Sequence, residues 1–160
     1  MAKLEPEVSI CCITYNQEEF ISIALNSFLE QETTFDYEIL IYDDKSTDKT
    51  PDILKDFEKR EDRIKLIFGS KNIGSQGKKV FPEVLKYAQS SYIAICEGDD
   101  YWSSTKKLQL QYNLLKKADL SGVFGKTQVL FEESFFDIDY GKITSSDESS
   151  IINLNKLSND

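Results

Sequence analysis

Three short apolar runs, each ending in polar or acidic residues, constrain this chain more than any other feature. Residues 8–14 (VSICCIT), 37–42 (YEILIY) and 92–96 (YIAIC) are continuous rather than alternating, and rich in β-branched and aromatic side chains. Such runs suit strands buried on both faces. Residues 63–68 (RIKLIF) alternate and read as a further strand. Between them lie helical patterns. Ile21, Ala24, Leu25 and Phe28 recur at the spacing of one helix face, with Asn16 and Glu19 placed as a capping box. Thr50-Pro51 reads as cap and first helical residue of a second helix, with Ile53, Leu54 and Phe57 inward. Phe81, Val84, Leu85 and Ala88 mark a third helix, in which Pro82 must sit in the first turn. Ser103 or Ser104 caps a fourth, with the stripe Leu108, Gln111, Tyr112, Leu115. Residues 122–131 read as one more strand, and residues 141–160 as a polar loop with at most one short helix. Strands alternating with helices predict a mostly parallel sheet with helices on both faces.

The length of 160 residues fits one domain, and 40% hydrophobic residues argue against global disorder. The domain is expected over residues 1–136. Residues 137–160 are expected to be a polar tail, or the start of an acceptor-binding part. A net charge of −9 disfavours nucleic acid as partner. The chain has no histidine. That excludes Ser-His-Asp triads, Cys-His dyads and His-ligated zinc, and leaves carboxylates, hydroxyls, lysines, thiols or an oxygen-held metal. Cys11, Cys12 and Cys96 lie in apolar runs without a C-x-x-C pair and read as buried small hydrophobes in a reducing compartment. The start lacks the apolar core of a signal peptide, and no run is long enough to span a bilayer. The expectation is a cytoplasmic protein, at most peripheral at the inner face of the cell membrane.

In open parallel sheets, ligands bind outside the carboxyl ends of strands. Three polar sets stand there: Thr14-Tyr15-Asn16, Asp43-Asp44 and Glu97-Gly98-Asp99-Asp100. Three carboxylates within four residues repel one another unless screened, and hard divalent ions take oxygen ligands. The same tetrapeptide also serves as a solvated acidic turn. Tyr101-Trp102 beside it suits either sugar stacking or a core plug. Asp43-Asp44 suits either base or ribose recognition or a local turn. Thr14-Tyr15-Asn16 suits either a stacking platform or a strand end with a helix cap. The loop at residues 69–79 fails the P-loop spacing, because Gly74 is followed by Ser75 rather than Lys. Lys78 and Lys79 are paired lysines near the site, so one of them suits a diphosphate, or simply a solvated helix start.

In this order, the segments VSICCITYN (8–16), EILIYDDKSTDKT (38–50), KNIG (71–74) and YIAICEGDDYW (92–102) resemble the amino-terminal part of a family 2 glycosyltransferase. The similarity runs from about Val8 to about Gln111. It implies a GT-A fold, a Rossmann-like three-layer α/β sandwich that binds a nucleotide-sugar. Tyr15 resembles the residue that stacks on the nucleobase, with Thr14 and Asn16 beside it. Asp44 resembles the base-recognising carboxylate and Asp43 its neighbour. Asn72 and Gly74 match a loop lining the nucleotide. Asp99 matches the main metal-binding Asp and Asp100 the extra acid after it. Glu97 stands where the family carries the first Asp of D-x-D, near ribose and metal. The resemblance implies Mn²⁺ or Mg²⁺ as cofactor, a UDP-sugar as donor, a glycan or lipid-linked acceptor and an inverting transfer. A homo-oligomer is compatible with it.

In similar enzymes the catalytic base lies well beyond the D-x-D. Glu132, Glu133, Asp137 and Asp139 are the acids in that direction, none in a recognisable context. No base is assigned, and the chain is expected to be a piece of a longer enzyme or a short family member. The alternatives are a catalytically incomplete nucleotide-sugar-binding module or subunit, and a nucleotidyltransferase. The absence of a Gly-rich, Arg/Lys-bearing loop after the first strand speaks against the latter.

Overall fold

The computed structural model describes residues 5–74, 79–118 and 120–125. Four parallel strands form one sheet in the order β3-β2-β1-β4: β1 Val8–Thr14, β2 Tyr37–Asp43, β3 Ile64–Phe68 and β4 Tyr92–Glu97. The helices are α1 Ile21–Leu29, α2 Thr50–Glu58, α3 Phe81–Leu85 and α4 Lys107–Ala118. Every residue of β1 and β2 is buried, as their unbroken apolar runs require. Cys11, Ile13, Leu40 and Tyr42 pack with Val80 and Val84 at α3 on one face. Ile10, Cys12, Ile39 and Ile41 alternate to the other face and are fully buried. There the Tyr37 hydroxyl donates to the Phe28 carbonyl at 2.8 Å, tying the end of α1 to the start of β2. The expected α1 stripe of Ile21, Ala24, Leu25 and Phe28 is buried throughout. Pro82 falls in the first turn of α3, as required.

Four expectations are corrected. Asn16 does not cap α1. The helix begins at Ile21 with no side-chain cap, and Asn16 adopts a left-handed φ of 52°. Its amide serves another loop instead. Thr50 is not a cap but lies inside α2, and Asp48 Oδ1 accepts the Thr50 N–H at 2.9 Å. The strand at 92–97 is not buried on both faces. Among the described residues it is the outer strand beside β1, and Ile95 is 57% exposed. Its apolar run alone did not distinguish an edge from a centre. Residues 122–125 form no strand, and the rest of that expected element lies outside the described residues, as do Lys78 and everything after residue 125. The Ser104 expectation holds locally, since its hydroxyl accepts the Lys106 N–H at 3.3 Å just before α4.

The chain divides into two compact units, residues 1–109 and 110–160. The first holds the sheet. In the second, the described part is the remainder of α4, where the Lys116 ammonium lies 5.4 Å from the Tyr112 ring centre, followed by residues 120–125. No helix among the described residues is long and apolar enough to cross a membrane.

At the amino-terminal side of the sheet, the buried Glu38 carboxylate collects its own donors. Ser9 Oγ donates at 2.7 Å, Lys65 Nζ at 2.6 Å and the Gln89 N–H at 3.2 Å. Burial alone would raise this carboxyl, but the bonds from Lys65, Ser9 and Gln89 outweigh it and hold it below its usual value. Replacing Glu38 by Ala takes the charged acceptor from the buried Ser9 hydroxyl, from the Gln89 N–H and from Lys65. It is expected to cost about 2 kcal/mol in urea unfolding. Because the folded carboxyl is depressed, its stabilisation is complete above the ordinary glutamate value and is lost as pH falls through the folded one. Wild type should therefore lose its advantage over Glu38→Ala in acid, and a constant gap between pH 7 and pH 3 would refute this.

Candidate functional site

The carboxyl ends of β1, β2 and β4 bring the three polar sets together. Register aligns Thr14 with Asp43 and Ile13 with Glu97. The ladder continues one step past the strands. The Asp44 N–H donates to the Thr14 carbonyl at 2.9 Å, and the Gly98 N–H to the Ile13 carbonyl at 3.0 Å. Tyr15, Asp44 and Asp99 thus leave the same edge of the sheet. This edge is also where strand order reverses, since β2 and β3 lie on one side of β1 and β4 on the other.

Tyr15 is 45% exposed at the tip of β1. The N–H groups after it are bonded to the segment following β2. Asn16 N–H donates to Ser46 Oγ at 2.9 Å, Gln17 N–H to Thr50 Oγ1 at 2.9 Å and Glu18 N–H to Asp48 Oδ2 at 3.1 Å. The bonds run both ways: Thr47 N–H donates to Asn16 Oδ1 and Lys49 N–H to Glu18 Oε2, each at 2.7 Å. Ser46, Asp48 and Thr50 were missed as site residues because Ser, Thr and Asp in a loop read as local turn formers. No local spacing rule singles them out, because the chain bends at residues 47–49 and Thr50 is already helical. Thr14 is buried, and its hydroxyl donates to Gln17 Oε1 at 2.7 Å.

Asp43 and Asp44 are both buried but do different work. Asp43 Oδ1 accepts the Ser46 N–H at 2.8 Å, which turns the chain out of β2. Its other oxygen is buried with no hydrogen-bond partner among the described residues. Asp44 accepts the Ile73 N–H at 2.9 Å and the Gly74 N–H at 2.8 Å. It therefore holds the loop bearing Asn72 and Gly74 against β2. Gly74 has a φ of +53°, which glycine adopts without strain. Lys45, itself at a φ of 66°, donates from Nζ to the Ser70 carbonyl at 2.9 Å and ties the same loop a second time. Asn72 is exposed.

Glu97 is the last residue of β4, and a turn closes where the Asp100 N–H donates to the Glu97 carbonyl at 3.2 Å. Asp99 and Asp100 are exposed. Partial burial, then the Asp99 and Asp100 charges, raises the Glu97 carboxyl above its usual value. Burial and then Asp99 raise Asp100 in the same way. The acids thus crowd one another without a countercharge of their own. All three offer hard oxygen ligands, the donor set that suits Mg²⁺ or Mn²⁺. Among the described residues, no three His, Cys, Asp or Glu side chains are gathered closely enough to hold a metal ion by themselves. A cation here would need further oxygens from a ligand or water.

The only tryptophan resolves as a core plug. Trp102 is 8% exposed, its ring meets Phe28 at a centroid distance of 4.9 Å, and its backbone N–H donates to Ser27 Oγ at 3.1 Å. Tyr101 beside it is exposed. The cysteines are free and buried. Burial pushes Cys11 up to about 11 and Cys96 to about 12, and raises Cys12 as well, so none is a ready thiolate.

The profile described as glycosyl transferase family 2 matches residues 9–156. An uncharacterised protein of Mycobacterium tuberculosis is 38% identical over 135 residues, covering 83% of this chain and 38% of that protein. The UDP-Glc:alpha-D-GlcNAc-diphosphoundecaprenol beta-1,3-glucosyltransferase of Escherichia coli is 34% identical over 127 residues, covering 79% of this chain and 48% of the enzyme. Among solved structures, S. aureus TarS 1-349 in complex with UDP superposes with a TM-score of 0.64 at 25% identity, over 78% of this chain and 38% of that one. The chain therefore spans less than half the length of these relatives, and its fold is theirs, GT-A.

Gly98 links the acidic turn to the Tyr15 loop. A Cβ there would lie 2.5 Å from Gln17 Oε1 and 2.9 Å from both Thr14 Oγ1 and Ile21 Cδ1. Gly98→Ala should destabilise the fold by about 1–3 kcal/mol through overpacking. Gly98→Ala combined with Gln17→Ala should recover part of that loss. Chemical denaturation measures both, and a single variant as stable as wild type would show that the turn stands clear of the loop.

Proposed function

Because the chain belongs to glycosyl transferase family 2, we propose that it is the donor-binding part of an inverting, metal-dependent glycosyltransferase. The donor is a nucleotide-diphosphate sugar, a UDP-sugar by preference, and the acceptor a hydroxyl of a glycan or lipid-linked saccharide. The observation that carries this reading is the convergence of Tyr15, Asp44 and the acidic turn at one switch point of a parallel sheet. The UDP-sugar preference rests on relatives: the E. coli enzyme is named for UDP-Glc, and TarS has been solved with UDP.

In this reading the exposed Tyr15 ring stacks on the base. Asp44 acts by holding the loop of Asn72 and Gly74 as a pocket wall. Asp99, with Glu97 and Asp100, holds a Mn²⁺ or Mg²⁺ ion whose remaining ligands are diphosphate oxygens and water. That ion supplies countercharge as the nucleoside diphosphate leaves. The Glu97 and Asp100 carboxyls, raised first by burial and then by neighbouring charge, support this, because a cation offsets that charge. The acceptor hydroxyl needs a base during transfer. Glu132, Glu133, Asp137 and Asp139 lie outside the described residues, and no base is assigned.

UDP with MnCl₂ should raise the melting temperature of wild type, and UDP with EDTA should raise it less. Asp99→Asn should remove the difference between these two conditions. No shift with any nucleoside diphosphate would reject the donor reading. A cation effect untouched in Asp99→Asn would reject the metal assignment alone. Cation binding needs deprotonated carboxylates, and those of Glu97 and Asp100 lie above the ordinary 4.5 and 3.8. The Mn²⁺-dependent shift should therefore begin to fade on acidification at a higher pH than ordinary carboxylates would give. Hydrolysis of or transfer from a UDP-sugar then separates an enzyme from a module that only binds the donor.

A further inference from the structure

An exposed aromatic ring makes a selective platform only if its backbone is already fixed. Around Tyr15 this fixing comes from a distance of about thirty residues in sequence. The carbonyl before it is held by the Asp44 N–H, and the three N–H groups after it by Ser46, Thr50 and Asp48. These three N–H groups precede the first turn of α1, where no local side chain caps them. Asn16, at a left-handed φ of 52°, needs compensation for that conformation, and gets it from the Thr47 N–H bonded to its Oδ1 at 2.7 Å. Asp48 is the bridge in this clasp. Its Oδ2 takes the Glu18 N–H, and its Oδ1 takes the Thr50 N–H at the start of α2.

We infer that Asp48, with Ser46 and Asn16, forms a positioning clasp that presets the Tyr15 ring for the base of a nucleoside diphosphate. None of the three needs to touch the ligand for this role. The inference rests on the donor reading above and extends it to residues that act through Tyr15. It separates two jobs within the loop after β2. Asp44 and Lys45 hold the loop of residues 69–74, while Ser46 to Thr50 hold the loop of Tyr15.

The test is a double-mutant cycle on UDP affinity, measured by titration calorimetry with MgCl₂ present. Asp48→Ala should weaken UDP about tenfold, the size of one or two lost hydrogen bonds. Asp48→Asn keeps an acceptor oxygen and should bind within about threefold of wild type. In a Tyr15→Ala background, Asp48→Ala should weaken UDP by less than about twofold, because the ring it positions is gone. A full tenfold penalty persisting in that background would overturn the inference and leave Asp48 a general structural residue. Amide hydrogen exchange at Asn16, Gln17 and Glu18 in the ligand-free protein gives an independent readout. It should quicken in Asp48→Ala and not in Asp48→Asn, and unchanged exchange in Asp48→Ala would overturn the clasp whatever binds. If wild type takes up no UDP while the exchange result holds, the donor reading fails and the clasp stands without its ligand.

Discussion

The structure depends on β1 being closed on every side. It is hydrogen-bonded along one edge to β2 and along the other to β4, and all seven of its residues are buried. A strand in that position has no room for an unpaired polar group along its length. Polar chemistry can begin only where the strand ends, and Thr14, Asp43 and Glu97 mark that boundary on three adjacent strands. The site follows from this constraint, since parallel strands that enter together also finish together.

Beyond the boundary, the backbone groups that leave the sheet need new partners. They find them between loops rather than within them. Among the described residues the Tyr15 loop and the segment after β2 exchange six hydrogen bonds in both directions. Asp44 and Lys45 bind the third loop. Each such bond contributes about 1 kcal/mol net, and the part-buried ones at Gln17, Glu18, Ile73 and Gly74 leave a half-buried donor unpaired if lost, so the set is stiff out of proportion to its strength. One atom escapes this pairing, the buried Oδ2 of Asp43.

The acidic turn works by the opposite principle. Its three carboxylates are left without basic partners among the hydrogen bonds and ion pairs described for the first unit, and partial burial, then mutual repulsion, raises two of them. Gly98 makes the crowding possible. With no Cβ, the turn approaches Thr14 and Gln17 closely enough to join the same wall of the pocket. In the proposed reading, a stiff polar floor and an acidic turn with unspent charge are the two halves of a site for a ligand that brings both a planar base and anionic phosphates.

What the sequence by itself determined was the sheet, the three polar strand ends and the inward faces of α1 and α2, whereas in α3 Leu85 is exposed and Ala88 lies past the helix end. Burial along an apolar run and helical periodicity are local properties, so VSICCIT, YEILIY and the stripe from Ile21 to Phe28 could be read directly. The acidic turn was legible for the same reason, as was the inertness of the cysteines. What only the tertiary structure decided was pairing across distance. Asn16 and Thr50 looked like caps of their own helices, because a capping residue and a long-range acceptor have the same side chain. Trp102 looked as suited to a sugar as to the core until Phe28 and Ser27 closed around it. The run at 92–96 looked as buried as β1, although among the described strands it is the outermost and partly exposed. Sequence carries the demand of a polar or apolar group for a partner. Which partner meets it depends on the loops that the parallel sheet brings side by side.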